Sequence, residues 1–221
     1  MMKKKNQNGF TLVELVIVVC LMGIIMAAVM GLLSPTTRFY NKVQNTKDQE
    51  AVAISVGKAV ANEIQYAKAV KIVSSDSATI PSVDSTYTKC VILANAETKP
   101  KKNAPGIVYK CDANGSNKKA VMGADLYEGD YYNVTIGENS VGSNDPNNKD
   151  NNSNYLMLNF ECSPMKYESG SYVQNKDVVY NYKQSIMFKN LNILDTSKSI
   201  DMTGYNASKT DYIYIFYQPV S

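Results

Sequence analysis

The sequence predicts an α+β protein, in which one long N-terminal helix packs on a mostly antiparallel β-sheet. Three observations lead to this prediction. Residues 10–33 are almost entirely apolar, as in a helix that spans a membrane. Apolar residues then recur at spacings of three and four as far as about Val73, which is typical of an amphipathic helix. Later segments alternate with a period of two, which is typical of strands.

The first nine residues are basic and polar, and they carry the whole net charge of the chain. Lys3, Lys4 and Lys5 keep this end in the cytoplasm and direct the rest of the chain outward. Without them the chain has 20 basic and 20 acidic side chains, so the formal net charge of +3 belongs to residues 1–9. A body of zero net charge gives no reason to expect nucleic-acid binding.

Residues 10–33 are long enough to cross a membrane, but they contain one charge, Glu14. At about 1.5 Å per residue this helix is roughly 35 Å long, and a hydrocarbon core is about 30 Å thick. A carboxylate at mid-bilayer costs at least about 2.5 kcal/mol, so Glu14 requires a specific role. An ordinary secretory signal would lack this charge and would have a small-residue cleavage site, which we do not find after Ala27 and Ala28.

The N-terminal sequence resembles the class III signal of type IV pilins and pseudopilins. Lysines precede Gly9, the sequence Phe-Thr-Leu-Val leads from there to Glu14, and an apolar run follows. The resemblance covers residues 1–35. It implies that a membrane prepilin peptidase cleaves between Gly9 and Phe10, and that the new amine of Phe10 is N-methylated.

The resemblance also implies that Glu14 and Phe10 direct assembly. The carboxylate would pair with the Phe10 amine of an adjoining subunit and so set the axial register. A buried charge that is costly alone becomes acceptable when it is paired. The partial positive charge of the helix N-terminus gives Glu14 further local compensation.

Gly31 and Pro35 predict a weak point in the helix. Pro35 has no N–H group for the carbonyl of Gly31, and glycine is itself a poor helix former. We expect a kink at this point, or local unwinding in an assembled filament. Beyond it, an apolar stripe is expected to pack on the sheet, and it consists of Ile54, Gly57, Ala61 and Ile64.

These patterns divide the chain into four predicted segments. They are a leader (1–9), a membrane and filament-core helix (10–33), an amphipathic continuation (34–73) and a β-rich head (74–221). The head should contain a long exposed polar loop at 137–154 and a final strand, 211–217, that is apolar on both faces and therefore covered on both sides. The predicted strands are 87–94, 106–111, 155–162, 178–188 and 211–217.

Cysteines give three alternatives in the head. If 87–94 and 106–111 form a hairpin, Cys90 and Cys111 face each other within disulfide range. We favour a disulfide there with Cys162 free, because the head should be extracellular. The alternatives are a structural zinc site at Cys90, Cys111 and Cys162, or three unlinked core thiols. Cys20 is expected to be an inert residue of the membrane helix.

Histidine is absent, which removes the commonest general base and the commonest metal ligand. We therefore expect no enzyme and, apart from the zinc alternative, no cofactor. The expected function is that of a pilin, major or minor, in a filament for adhesion, motility or aggregation. The alternatives are a pseudopilin or minor pilin for secretion or DNA uptake, and a signal-anchored monomeric binding protein.

The expected partners are identical or homologous subunits, the membrane before assembly, prepilin peptidase and the assembly machinery. A host surface or other cells could be bound by the head. The expected location is a single-pass cytoplasmic membrane protein and then an extracellular pilus. Abundant Lys, Asn, Ile and Tyr beside a single arginine, Arg38, hint at a low-GC bacterium.

Overall fold

The computed structural model describes residues 11–98, 107–123, 129–137, 155–191 and 200–220. Within these ranges the chain has one α-helix, one 3₁₀ turn at Asn95–Thr98 and ten strands. The chain divides into two units, Met1–Gln44 and Asn45–Ser221. The long N-terminal helix and the mostly antiparallel β-structure confirm the predicted α+β class.

The helix α1 spans Leu12–Ile64 without interruption, so the predicted break at Gly31 and Pro35 does not divide it here. The hydroxyl groups of Thr36 and Thr37 donate hydrogen bonds to the backbone carbonyls four residues before them, at 2.7 and 2.8 Å. Hydroxyl bonds of this kind often bend a helix, and they lie next to the carbonyl that Pro35 leaves without its usual donor. Unwinding at this point in a filament stays a prediction.

The prediction that the helix continues to Val73 is wrong. It ends at Ile64, and residues Ala69–Ser75 form strand β1. This segment contains the β-branched residues Val70, Ile72 and Val73, and it pairs along its whole length with the last strand of the chain. Spacings of three and four in a short apolar run fit a buried strand as well as a helix, and the pairing decides between them.

A six-stranded sheet forms one layer of the second unit. Its order is β4-β3-β2-β10-β1-β9, and the pairs are antiparallel except β1 with β9. The central strand β10 is buried on both faces, as its apolar sequence predicts. Besides β1, the strands are β2 (Lys89–Ala94), β3 (Val108–Asp112), β4 (Lys119–Ala120), β9 (Ile200–Gly204) and β10 (Tyr212–Gln218).

A four-stranded antiparallel sheet is built around one long strand. This strand, β6, pairs with β5 along one edge and with β8 and then β7 along the other. These strands are β5 (Asp130–Ile136), β6 (Tyr155–Glu168), β7 (Ser171–Gln174) and β8 (Tyr180–Met187). The five predicted strands are thus confirmed as β2, β3, β6, β8 and β10. Apart from Gly137, the predicted polar loop 137–154 lies outside the described residues.

The second half of α1 packs against both sheets in the main core. Of the predicted stripe, Gly57 and Ile64 are buried, whereas Ile54 and Ala61 are half-buried. The buried face of the helix is formed by Gln49, Val52, Ala53, Val56, Gly57, Val60 and Ile64. A second core covers the opposite face of the six-stranded sheet and consists of Cys90, Ile92, Ala94, Tyr109, Cys111, Tyr214 and Phe216.

Candidate functional site

The first turn of α1 is closed by reciprocal hydrogen bonds between Thr11 and Glu14. The backbone N–H and the hydroxyl of Thr11 each donate to Oε2 of Glu14 at 2.9 Å. In return, the backbone N–H of Glu14 donates to Oγ1 of Thr11 at 3.3 Å. The first bond of the helix ladder follows at once, from the N–H of Leu15 to the carbonyl of Thr11 at 3.2 Å.

This arrangement is a capping box, in which a threonine and a glutamate three residues later satisfy each other's exposed N–H groups. It gives Glu14 a role within its own chain that the charge argument alone did not identify. The functional residue that sequence reasoning missed is Thr11. The pattern Thr-x-x-Glu before an apolar run was the available signal.

The apolar surface of the first unit is exposed all around the helix. From Leu12 to Leu33, every Leu, Ile, Val and Met side chain is between 46% and 78% exposed. Soluble monomers rarely expose an apolar surface of this extent. Among the described residues, α1 is the helix long and apolar enough to cross a membrane. This segment therefore requires a lipid or protein environment from outside its own unit.

Gly9 and Phe10 lie outside the described residues. Cleavage between them, N-methylation of Phe10 and pairing of its amine with Glu14 therefore stay predictions. The capping box begins one residue after Phe10, so it uses no residue of the leader.

Two of the three head cysteines lie together, and the third does not. Cys90 and Cys111 are directly opposed in the β2–β3 hairpin, as predicted. Cys162 lies in β6 and belongs to the main core, whereas the pair belongs to the second core. In the part of the chain that the structure describes, no three cysteine or acidic side chains could hold a metal ion together. The structure brings Cys90 and Cys111 together and places Cys162 in the other core, and a zinc site that uses all three cysteines stays a prediction.

The disulfide between Cys90 and Cys111 stays a prediction. Both side chains are free thiols in this structure, and so is Cys162. Cys20 is likewise a free thiol, and it is exposed on the first half of α1.

A cavity of about 220 Å³ lies where the C-terminal end of α1 meets the six-stranded sheet. Glu63 accepts a bond from Lys110 at 2.6 Å, and Asp112 accepts one from Lys89 at 2.7 Å. The hydroxyl of Tyr217 donates to the same Glu63 at 3.2 Å. Each carboxylate is thus paired with a lysine side chain.

Comparison with protein families matches residues 4–30 to the prokaryotic N-terminal methylation motif. The chain carries a prepilin signal. The signal is typical of type IV pilins and pseudopilins, and the protein is pilin-like in its single long N-terminal helix and α+β arrangement. Such proteins are typically structural and not enzymes. Comparison with curated proteins and with solved structures gives no match.

The prepilin signal has two implications for this chain. It implies processing by a prepilin peptidase, and it implies insertion in the membrane before assembly. The matched residues also contain Thr11 and Glu14, so the capping box lies within the signal itself.

Proposed function

We propose that this protein is a structural subunit of a type IV pilus, assembled from the membrane into a surface filament. The observation that carries the proposal is a prepilin signal whose apolar helix is exposed from Leu12 to Leu33. Lipid covers this surface first, and the corresponding helices of other subunits cover it afterwards. The remainder of the chain forms the outer part of the filament, available to a host surface or to other cells.

Glu14 has two roles in this proposal. Both hydrogen bonds that it accepts among the described residues end on Oε2, so Oε1 is the atom offered to a partner outside the chain. That partner is the Phe10 amine of the adjoining subunit. The capping box fixes the carboxylate in place, and this orientation lowers the entropy cost of forming the intersubunit pair.

Processing is tested by replacing Gly9 with leucine. We expect Gly9→Leu to retain its nine-residue leader and to be absent from sheared surface filaments. Mass spectrometry of the membrane-bound chain measures the retained mass. Normal processing of this variant would contradict the cleavage site that we propose.

Assembly is tested by replacing Glu14 with alanine. We expect Glu14→Ala to be processed but to be at least ten-fold depleted in filaments, because a lost charge pair of more than about 1.4 kcal/mol has that effect. Glu50→Ala is the matched control, since Glu50 is an exposed glutamate of the same helix beyond the apolar segment. Equal incorporation of both variants would contradict the role of Glu14.

The same experiment separates the alternative functions. A signal-anchored monomeric binding protein would appear in no filament, and neither Gly9→Leu nor Glu14→Ala would alter its amount at the surface. A pseudopilin or minor pilin would be processed but present at a low ratio to a more abundant subunit. Subunit stoichiometry in purified filaments therefore distinguishes these alternatives from a major pilin.

A further inference from the structure

We propose that Cys90 and Cys111 form a reversible dithiol–disulfide couple, in which Cys111 is the sulfur that reacts with low-molecular-weight disulfides. The proposal concerns the second unit alone and does not rest on the pilus function. The sequence predicted only a static disulfide in the head, whereas the proposal assigns the two cysteines a reversible reaction.

The register of the hairpin places the two sulfurs together. Cys90 in β2 and Cys111 in β3 are direct Cα partners, and both side chains belong to the second core, so they lie on the same face of the sheet. Directly opposed residues of antiparallel strands have Cα atoms about 4.5–5.5 Å apart, within the range that a disulfide bridges. A bond can therefore form without rearrangement of the strands.

The two cysteines differ in how accessible they are. Cys90 is enclosed between β3 and β10 and is fully buried. Cys111 is 5% exposed, because β4 pairs with Tyr109 and Lys110 and ends before it reaches Cys111. A reagent from solvent therefore reaches Cys111 first.

Charge favours the same cysteine as the nucleophile. A hydrogen bond from the Cys90 thiol lowers the pKa of Cys111, and the lysine side chains of Lys118 and Lys89 lower it further, against burial and the charge of Asp112. Burial raises the pKa of Cys90, and the neighbouring sulfur adds to that shift. When the pair loses one proton, the thiolate therefore forms on Cys111 and Cys90 keeps its proton.

In the fully protonated pair, both thiols donate to backbone carbonyls. Cys111 donates to the carbonyl of Cys90 at 3.8 Å, and Cys90 donates to the carbonyl of Val91 at 3.6 Å. Loss of the Cys111 proton frees its sulfur to accept, and rotation of the Cys90 S–H group supplies the donor.

The reaction that we propose has two steps. The Cys111 thiolate attacks one sulfur of a small disulfide, which forms a mixed disulfide and releases the other half as a thiolate. Cys90 then loses its proton and attacks the sulfur of Cys111, which forms the intramolecular bond and releases the second thiolate. The protein loses two electrons, and one small disulfide becomes two thiols. A reducing thiol reverses both steps.

Cys162 is the internal control. It is fully buried in β6, between Tyr132 of β5 and Tyr180 of β8, and burial raises its pKa. It lies in the same unit as the pair, but it has no cysteine directly opposite it, and neighbouring strands cover it on both sides. Reactivity at Cys162 would therefore report general opening of the head.

The experiment uses the full chain in detergent, with Cys20→Ser to prevent links between chains. Reduced protein is incubated with oxidised glutathione, quenched with N-ethylmaleimide, digested and mapped by mass spectrometry. We expect a transient glutathione adduct at Cys111, then a Cys90–Cys111 disulfide that dithiothreitol reverses in the folded protein. We expect maleimide to modify Cys111 at least about ten-fold faster than Cys162.

Two variants sharpen the result. Cys90→Ser should accumulate the glutathione adduct at Cys111, whereas Cys111→Ser should form no adduct at Cys90. The mapping of the unsubstituted pair decides the question even if either variant fails to fold. The proposal is overturned if no Cys90–Cys111 bond forms, if Cys90 or Cys162 reacts as fast as Cys111, or if the bond resists reduction in the folded protein.

Discussion

The two halves of α1 have the same secondary structure but opposite relations to the rest of the chain. In the second half, Val60 and Ile64 are fully buried on one face, and polar residues occupy the other. In the first half, Ile17 and Ile25 are 52% and 61% exposed, and the apolar surface surrounds the helix. A one-sided apolar stripe matches a partner inside the protein, whereas an all-round apolar surface requires a partner outside it. The comparison supports the proposal that the first half packs against other subunits in the assembly.

The largest expected effect comes from replacing one isoleucine with alanine in each half of α1. Ile64→Ala removes a fully buried side chain, and we expect it to lower the free energy of unfolding of the head by about 2–5 kcal/mol. Ile25→Ala should change that quantity by less than about 0.5 kcal/mol, because Ile25 is exposed. Urea titration of the detergent-solubilised chains measures both. Equal losses would contradict the division of the helix.

A pair of glycines sharpens the comparison. A Cβ atom at Gly57 would lie 3.2–3.4 Å from the side chain of Gln184, whereas one at Gly31 would meet nothing within 4 Å. Gly57→Leu should therefore destabilise the head by about 1–3 kcal/mol. Gly31→Leu should leave the unfolding curve of the head unchanged, and a comparable shift there would mean that the first half packs within the chain.

The cap tests the start of the first half. Thr11→Ala removes the hydroxyl that bonds to Glu14, and we expect a local loss of about 1 kcal/mol. Hydrogen exchange of the first-turn amides should become roughly five-fold faster, since about 1 kcal/mol corresponds to that factor. Thr11→Ser keeps the hydroxyl and should exchange at the rate of the natural chain. No difference between the two variants would argue against the capping box.

The smallest effect concerns a buried carboxyl beside the second half. Burial raises the pKa of Asp130, which Gln49 of the helix contacts at 3.3 Å. Because the pKa is raised in the folded state, the protonated carboxyl makes its full contribution to the free energy of unfolding at low pH. This contribution is lost as the pH rises through the folded-state pKa. Asp130→Asn cannot ionise, and its amide can donate to Oε1 of Gln49, which is buried without a partner among the described atoms.

We therefore expect Asp130→Asn to exceed the natural chain in stability by about 1 kcal/mol at neutral pH and by less in acid. Urea midpoints at the two pH values measure the difference. Asp177→Asn, at an exposed turn, is the matched control and should track the natural chain. If the stability advantage of Asp130→Asn were larger in acid than at neutral pH, the pKa of Asp130 would not be raised in the folded protein.

The sequence predicts the elements of this fold whose patterns are local. The apolar segment and the five strands with clear alternation are found where expected. The wrong element is the region after Ile64, where the segment Ala69–Ser75 contains too few residues to separate a helical period from a buried strand. Its pairing with β10, more than 130 residues later, decides its structure, and no local pattern encodes that contact.

The site shows the same limit. Cys90 and Cys111 lie in two short strands of one hairpin, so their register could be counted from the sequence. Cys162 belongs to the other sheet, and the assignment of strands to sheets depends on long-range packing. Thr11 was missed for a different reason. Its pattern was local and visible, but the unusual charge of Glu14 directed the interpretation to an external partner.

Cys20 provides the most direct test of the central claim, because it is a natural thiol on the exposed surface of the first half. The measurement is maleimide labelling of Cys20 in intact sheared filaments and in the same filaments after dispersal in detergent, with peptide mapping to identify the site. We predict protection in the filament and labelling after dispersal, because other subunits cover this surface only in the assembly. Equal labelling of Cys20 in intact and dispersed filaments would contradict the account.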